Sequence, residues 1–173
     1  TGLPKGVRIH HHSVLNLVDG LTSEIYNLYP EELNVALVAS TVFDASVQQL
    51  FGCLLNGHCL HLTDSSIKQD DLLFSAFIHE NRIHLMDATP SLLNLLLQGD
   101  FGNEKPAALR HIVIGGEALP SDLIRAFYQR NTKNIRFTNV YGPTECTVDA
   151  SYYHIDSETT FNQVTVKIGK PLP

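Results

Sequence analysis

The stretch His111-Ile112-Val113-Ile114-Gly115-Gly116-Glu117 joins four residues suited to a buried β-strand to a loop that contains two glycines. A helical pattern follows the loop, because Leu123, Ile124 and Phe127 recur at helical spacing. Pro120 suits the first turn of that helix. A strand, a loop and a helix in this order are typical of a sheet whose neighbouring strands run parallel.

Similar units lie on both sides of this stretch. After Ser13, which we expect to cap the first helix, apolar residues recur at helical spacing. Strand and helix patterns alternate along most of the chain, which indicates parallel strands with crossover helices. We therefore predict an α/β fold with a mostly parallel sheet and with ligands at the carboxyl ends of its strands. The other strand-like runs are 35–39, 59–62, 83–86 and 135–138, and the other helical patterns are 14–21, 47–54 and 72–77.

The composition argues against several classes of protein. The 173 residues are 43% hydrophobic and 17% charged, which is typical of one globular domain or part of one. The net charge of -6 argues against a nucleic-acid partner, because proteins that bind nucleic acid usually cluster Lys and Arg. No apolar run approaches the roughly 20 residues of a membrane span, so we expect no membrane contact. Three cysteines without a CxxC pair favour reduced thiols in a cytoplasmic protein.

The first loop of the chain, Thr1-Gly2-Leu3-Pro4-Lys5-Gly6-Val7, has the residue types that a phosphate-binding loop needs. The Thr1 hydroxyl and the Gly2 N–H can donate to phosphate oxygens, and Lys5 adds a mobile cation. The loop is not the Walker motif, because Lys5 is followed by glycine and the first glycine has a different spacing. Taken alone, the loop fits a phosphate site and an ordinary turn equally well.

A second loop, Asn139-Val140-Tyr141-Gly142-Pro143-Thr144-Glu145, follows a predicted strand. Thr144 can contact a phosphate oxygen, Glu145 offers the hard carboxylate that Mg²⁺ prefers, and Tyr141 can stack on a base. A glycine-proline turn without a ligand is the alternative for this segment. Together the two loops favour the activation of a carboxylate by ATP.

The two loops, with Phe43-Asp44-Ala45-Ser46 between them and Gly115-Gly116-Glu117 before Pro120, resemble the adenylation domains of nonribosomal peptide synthetases. These domains belong to the adenylate-forming enzymes, which include acyl-CoA ligases and luciferases. The resemblance covers all 173 residues and implies part of the large subdomain of such an enzyme, without the start of the domain and without its small C-terminal subdomain. We expect the isolated piece to be inactive, because the resemblance places an essential aspartate and lysine beyond Pro173.

The resemblance also implies a reaction and its partners. The carboxylate of an amino acid attacks the α-phosphorus of ATP with Mg²⁺ present, and the aminoacyl group then passes to the phosphopantetheine thiol of a peptidyl carrier domain. A condensation domain of the same synthetase is a further implied partner. The implied catalytic residues are Lys5, Thr144 and Glu145, and Glu145 is also the implied metal ligand. The implied nucleotide-binding residues are Thr1, Gly2, Lys5, Gly116, Glu117, Asn139, Tyr141, Gly142 and Thr144.

Asp44 distinguishes between branches of this group of enzymes. A carboxylate inside an apolar stretch is costly to bury unless a cation meets it, and the α-ammonium group of an amino acid is such a cation. Acyl-CoA ligases act on substrates without that amine and do not need the carboxylate. The alternative for Asp44 itself is a cap for the helix that starts near Ser46. For the whole site, the alternatives are a carboxylic acid:CoA ligase and a nucleotide-binding fragment without catalysis.

The positions that the resemblance assigns to the amino acid side chain point to L-glutamine. Gln48 lies one helical turn after Asp44, and with Asp87 it offers hydrogen-bond donors and acceptors to a carboxamide. Gly115 leaves room for a long substrate, whereas Val113 departs from the usual pattern, in which leucine stands at that position. Glutamate-activating relatives carry lysine in place of Gln48. The alternative to a substrate-binding role is that Gln48 and Asp87 are solvated surface residues. The implied substrate-binding positions are Asp44, Ala45, Gln48, Asp87, Val113, Gly115, Val140, Val148 and Asp149.

Overall fold

The computed structural model describes residues 6–99, 101, 108–130 and 134–173. In these ranges seven strands form one sheet that six α-helices accompany, and none of the helices is long and apolar enough to span a membrane. The helices are α1 (His11–Glu24), α2 (Ala45–Leu55), α3 (Ser65–Gln69), α4 (Asp71–Glu80), α5 (Pro90–Gln98) and α6 (Ser121–Gln129). The strands are β1 (Asn34–Leu37), β2 (Cys59–Leu62), β3 (Leu85–Ala88), β4 (His111–Ile114), β5 (Arg136–Tyr141), β6 (Ser151–Ile155) and β7 (Lys170–Pro171).

The strands lie in the order β2-β1-β3-β4-β5-β6-β7. The first five strands in this order are parallel, whereas β6 runs antiparallel to β5 and β7 runs antiparallel to β6. The predicted α/β fold with a mostly parallel sheet is therefore confirmed. The chain adds β2 on one side of β1 and β3 on the other, and a crevice opens at the carboxyl ends of strands where the order reverses in this way.

Alternate residues of each strand face opposite helical layers. In β4, Ile112 joins an apolar cluster with residues of α4, α5 and α6, whereas Val113 joins a second cluster with residues of α1 and α2. In β3, Met86 packs in the first cluster and Leu85 in the second. Asp87 lies two residues after Leu85, so its side chain faces the layer that contains α2.

Several predicted boundaries differ from the observed ones, and two of the differences matter here. β3 begins and ends two residues later than the predicted run 83–86, so Asp87 belongs to the strand. α1 begins at His11, and its N-cap residue is His10, so the prediction that Ser13 caps this helix was wrong. The helix starts earlier because the His10 carbonyl already accepts the N–H of Ser13 at 3.0 Å and thereby closes the first turn.

Four elements were not predicted, namely α3, α5, β6 and β7. For α5 the sequence carried a signal, because Thr89 accepts a hydrogen bond from the Leu92 N–H at 3.2 Å and Pro90 occupies the first turn. The strands β6 and β7 have no comparable local signal. Their extended conformation depends on pairing with β5, a contact that the sequence does not display.

Candidate active site

A cavity of about 620 Å³ lies at the carboxyl ends of β1, β3, β4 and β5, and the first turns of α2 form part of its wall. All positions predicted to bind the amino acid line this cavity, namely Asp44, Ala45, Gln48, Asp87, Val113, Gly115, Val140, Val148 and Asp149. Several positions predicted to bind the nucleotide line it too, namely Gly116, Glu117, Asn139, Tyr141 and Gly142. The fold thus brings together residues from five separate segments of the chain.

The remaining predicted site residues are not part of the cavity lining. Thr144 and Glu145 belong to an exposed 3₁₀ turn after β5. Thr1, Gly2 and Lys5 lie outside the described residues, so the phosphate loop at the start of the chain stays a prediction.

Two amide side chains of α2 hold Asp87. Gln48 Nε2 donates to Asp87 Oδ2 at 2.6 Å, and Gln49 Nε2 donates to the same oxygen at 3.0 Å. Burial raises the pKa of Asp87 to about 6, and the two hydrogen bonds oppose that rise because they favour the carboxylate. Gln48 is only 6% exposed and Asp87 is half-buried, so they are not the solvated surface residues of the alternative interpretation.

Gln49 was not among the predicted site residues. Its Oε1 accepts hydrogen bonds from the N–H of Val38 at 2.8 Å and from the N–H of Ala39 at 3.0 Å, directly after β1. Because its Nε2 holds Asp87, the side chain ties the end of β1 to β3 across the crevice. The signal in the sequence was the polar pair Gln48-Gln49 inside the otherwise largely apolar helix α2.

Asp44 lies directly before α2, yet its side chain makes no cap hydrogen bond to the helix. The alternative role of Asp44 as a helix cap is therefore wrong. Its carboxylate instead accepts a hydrogen bond from the hydroxyl of Thr144, which lies 100 positions later in the chain. Among the described side chains Asp44 forms no salt bridge, so the carboxylate has no cationic partner there.

A turn with unusual backbone geometry carries Val148 and Asp149 into the cavity wall. Thr147 and Val148 have φ values of 64° and 71°, a region that β-branched residues rarely adopt. Such conformations persist where the surrounding structure enforces them, and they concentrate at functional sites. Gly142 packs directly against this turn, since a Cβ on Gly142 would lie 2.2 Å from the Val148 carbonyl oxygen and 2.7 Å from the Asp149 Cα.

Asp149 is a further carboxylate in the same cavity. Burial raises its pKa to about 8, and the negative charges of Asp87 and Asp44 add to that rise. Of the described residues that line the cavity, Lys68 of α3 is the one that carries a Lys or Arg side chain. Its Nζ donates a hydrogen bond to the Val38 carbonyl at 2.8 Å. Acidic groups therefore outnumber cations in the cavity, which suits a substrate with an ammonium group.

Three valines form an apolar wall beside these carboxylates. Val113, Val140 and Val148 are 3%, 4% and 8% exposed. Gly115 faces this wall, since a Cβ on Gly115 would lie 2.9 Å from the Val140 Cγ2 atom. The lack of a side chain at Gly115 therefore lets Val140 pack closely and keeps the cavity open.

The predicted nucleotide-binding residues of the cavity differ in how firmly they are held. The Glu117 carboxylate accepts a hydrogen bond from the Ser91 hydroxyl at 2.7 Å. Asn139 is buried, and its Nδ2 donates to the Lys167 carbonyl at 2.8 Å. Tyr141, at the end of β5, is 53% exposed, so its ring is accessible for stacking.

A sequence model of the family described as "AMP-binding enzyme" matches residues 1–173. The chain belongs to this family. It is 42% identical over 173 residues to bacitracin synthase 1 of Bacillus licheniformis, a match that covers 99% of this chain and 3% of that protein. It is 40% identical over 177 residues to surfactin synthase subunit 1 of Bacillus subtilis (strain 168), a match that covers 99% of this chain and 5% of that protein.

A solved structure supports the same assignment. The fold matches that of holo-AB3403, a four-domain nonribosomal peptide synthetase bound to AMP and glycine, with a TM-score of 0.83 and 28% identity. This match covers 99% of the AMP-binding chain and 12% of the other chain. The predicted membership among the adenylation domains of nonribosomal peptide synthetases is thus confirmed, although the chain spans only a small part of these relatives.

Glu145 is the residue of this AMP-binding chain that was predicted to hold a metal ion. Its carboxylate is exposed in the turn after β5. Within the described ranges, no group of three or more Asp, Glu, His or Cys side chains is arranged to hold a metal ion. A Mg²⁺ ion at Glu145 fits this setting if phosphate oxygens and water complete its coordination, as is usual for that ion.

Proposed function

We propose that the chain forms the amino acid and nucleotide site of an adenylation domain that activates L-glutamine. A carboxylate oxygen of glutamine attacks the α-phosphorus of ATP, the bond to the β-phosphate breaks, and pyrophosphate leaves. The acyl group then passes to the phosphopantetheine thiol of a peptidyl carrier domain, with a condensation domain as a neighbour in the same synthetase. The observation that carries this proposal is the hydrogen-bonded pair of Gln48 and Asp87 in the cavity at the carboxyl ends of the strands.

Asp44 is the proposed partner of the substrate α-ammonium group. Its carboxylate makes no helix cap and no salt bridge with a described residue, so it is available to a ligand. A charge-assisted hydrogen bond to an ammonium group is stronger than a neutral one and fixes the orientation of the amino acid. This availability favours an amino acid over a simple carboxylic acid as the substrate.

Thr144 links the proposed amine site to the proposed phosphate site. Its hydroxyl has a single donor, which Asp44 takes in this structure. When the ammonium group of the substrate replaces that hydrogen bond, the hydroxyl is free to donate to a phosphate oxygen. Binding of the amino acid and binding of ATP should therefore strengthen each other.

The other predicted nucleotide-binding residues fit the same proposal. Tyr141 provides an accessible ring for adenine, and Thr1, Gly2 and Lys5 are proposed to surround the outer phosphates. Bound Mg²⁺ neutralises charge on the phosphates, and Glu145 would hold it. The protein then contributes mainly by positioning the carboxylate and stabilising charge.

The acidic cavity explains why glutamine fits better than glutamate. Asp87 is already ionised in part at neutral pH, and a glutamate side chain would add a further carboxylate next to it. An uncompensated buried charge costs roughly 3–5 kcal/mol, which corresponds to a discrimination of about 10²-fold or more. A neutral carboxamide avoids this cost and still uses the hydrogen-bonding groups of the cavity.

A pyrophosphate-exchange panel with all amino acids, run on the domain that carries this chain, tests the proposal. We expect glutamine to give the highest rate. Gln48→Lys should move the preference towards glutamate, because it places an ammonium group beside the substrate side chain. Gln129→Lys is the matched control, since Gln129 is exposed on α6 and does not line the cavity.

Other outcomes would contradict the proposal. A preference for glutamate or for a large apolar amino acid in the unmodified domain would reject glutamine as the substrate. Activity with a fatty or aryl acid and none with amino acids would favour a carboxylic acid:CoA ligase instead. An unchanged ratio of glutamine to glutamate in Gln48→Lys would show that Gln48 does not contact the substrate side chain.

A further inference from the structure

Two buried polar atoms in the cavity wall have no hydrogen-bond partner among the described residues. They are Gln48 Oε1 and Asp149 Oδ2. Both residues line the cavity, whereas the other residues with such atoms, in α4, β2, β6 and the turn before β2, do not. Unpaired buried polar atoms are costly, and at a binding site they mark where a ligand completes the hydrogen bonding.

The orientation of the Gln48 amide determines what this atom can accept. Gln48 Nε2 donates to Asp87 Oδ2 at 2.6 Å, and a carboxylate oxygen requires a donor in that position. Oε1 is therefore the free end of the amide, and it can only accept. A ligand that satisfies it must bring an N–H or O–H group.

Asp149 faces acidic groups from several elements. The titratable side chains that share the cavity are Asp44 before α2, Lys68 of α3, Asp87 of β3, and, at its other segments, Glu117 after β4 and Tyr141 at the end of β5. The amino group of Lys68 bonds to a backbone carbonyl. Asp87 keeps its negative charge more easily than Asp149, because it accepts two N–H hydrogen bonds. Burial, followed by the charges of Asp87 and Asp44, raises the pKa of Asp149 to about 8.

We propose that Asp149 is a neutral carboxylic acid that donates its proton in a hydrogen bond to the carbonyl oxygen of the substrate carboxamide, while Gln48 Oε1 accepts an N–H of the same group. The inference rests on the proposed activation of glutamine. A carboxamide offers one acceptor and two donors on adjacent atoms, so it satisfies both unpaired atoms together. A glutamate carboxylate would place an oxygen against Gln48 Oε1, and an apolar side chain would leave both atoms unpaired.

The test is a pH series of pyrophosphate exchange with L-glutamine as the probe, on the domain that carries this chain. Between pH 7 and pH 9 the KM for glutamine should rise about tenfold more in the unmodified domain than in Asp149→Asn, because the fraction with a protonated Asp149 falls by about that factor. The asparagine amide keeps a donor and does not titrate. The comparison with Asp149→Asn at each pH also cancels the titration of the substrate ammonium group.

Two further variants separate this role from a structural one. Asp149→Leu has a similar volume without a donor, and its kcat/KM for glutamine should be at least about tenfold below that of Asp149→Asn. Asp19→Asn is the matched control, since Asp19 is exposed on α1 and does not line the cavity. The KM for ATP at saturating glutamine reports whether each variant is folded around the nucleotide.

The outcomes distinguish this inference from the proposed function. Glutamine activation with the same pH dependence in the unmodified domain and in Asp149→Asn would overturn the role of Asp149 alone. Equal losses in Asp149→Asn and Asp149→Leu would do so as well. Preferential activation of another amino acid at pH 7 would instead overturn the proposed function and, with it, this inference.

Discussion

Asp149→Asn should make the fold more stable at neutral pH, and the gain should grow with pH. The unfolded chain loses the proton of Asp149 near its ordinary pKa of 3.8, whereas the folded state keeps it to about 8. A raised pKa of an acid means that stability is fully present below the unfolded value and is lost as pH rises towards the folded value. Asparagine does not titrate, so the variant escapes this loss.

The size of the effect follows from the pH interval. At pH 7 the unfolded chain is about three units above its pKa, and each unit corresponds to about 1.4 kcal/mol, which gives an upper value of roughly 4 kcal/mol. Solvent in the open cavity screens part of this, so we expect Asp149→Asn to gain about 2–4 kcal/mol at pH 7. At pH 5 the corresponding upper value is only about 1.6 kcal/mol.

Urea unfolding of the domain that carries this chain, at pH 5, 6, 7 and 8, measures this difference. The gap in unfolding free energy between Asp149→Asn and the unmodified domain should widen with each step, whereas Asp19→Asn should show no such trend. A gap that stays constant from pH 5 to pH 8 would refute the reasoning, because it would mean that Asp149 titrates alike in both states.

Three other substitutions test contacts of the same cavity. Gly142→Ala places a methyl group against the Val148 carbonyl oxygen. We therefore expect the free energy of unfolding in urea to fall by about 1–3 kcal/mol and the KM for glutamine to rise. An unchanged KM would show that the turn at Val148 accommodates the methyl group without moving the cavity wall. Gln49→Leu removes the acceptor of two backbone N–H groups and one donor to Asp87. The unfolding free energy should therefore fall by roughly 2–3 kcal/mol. A loss below about 0.5 kcal/mol would contradict the idea that Gln49 stabilises the arrangement of β1 and β3. Thr144→Val removes the hydroxyl that contacts the proposed amine-binding carboxylate of Asp44. The mutual enhancement of amino acid and ATP binding, measured by titration calorimetry, should therefore fall about fivefold or more. An unchanged enhancement would reject this coupling.

The parallel part of the sheet was predictable because its strands are short and apolar. Strands covered by helices on both faces have little need of polar alternation, so a run such as His111–Ile114, which is buried throughout, stands out in the sequence. The strand Ser151–Ile155 contains serine, tyrosine and histidine and lacks that signal. Its tyrosines and isoleucine are compatible with a strand, but the pairing with β5 is what makes it one.

Many residues of the cavity wall were predicted from the sequence, whereas their contacts with each other were not. The resemblance to the adenylation domains implied these positions, and the motifs that carry the resemblance are local patterns. Gln49 escaped notice because its partners, Val38 and Asp87, lie on two different strands. The hydrogen bond between Thr144 and Asp44 was equally hidden, because the two residues are 100 positions apart.

The sequence by itself determined the α/β alternation and the family, because both depend on local patterns of residue type, and the resemblance implied many of the residues that line the cavity. Only the tertiary structure decided which of those residues contact each other and which carboxylate keeps its proton. Asp44, Asp87 and Asp149 come from three distant segments, and their charges influence each other only when the folded sheet holds them around one cavity of reduced solvent access.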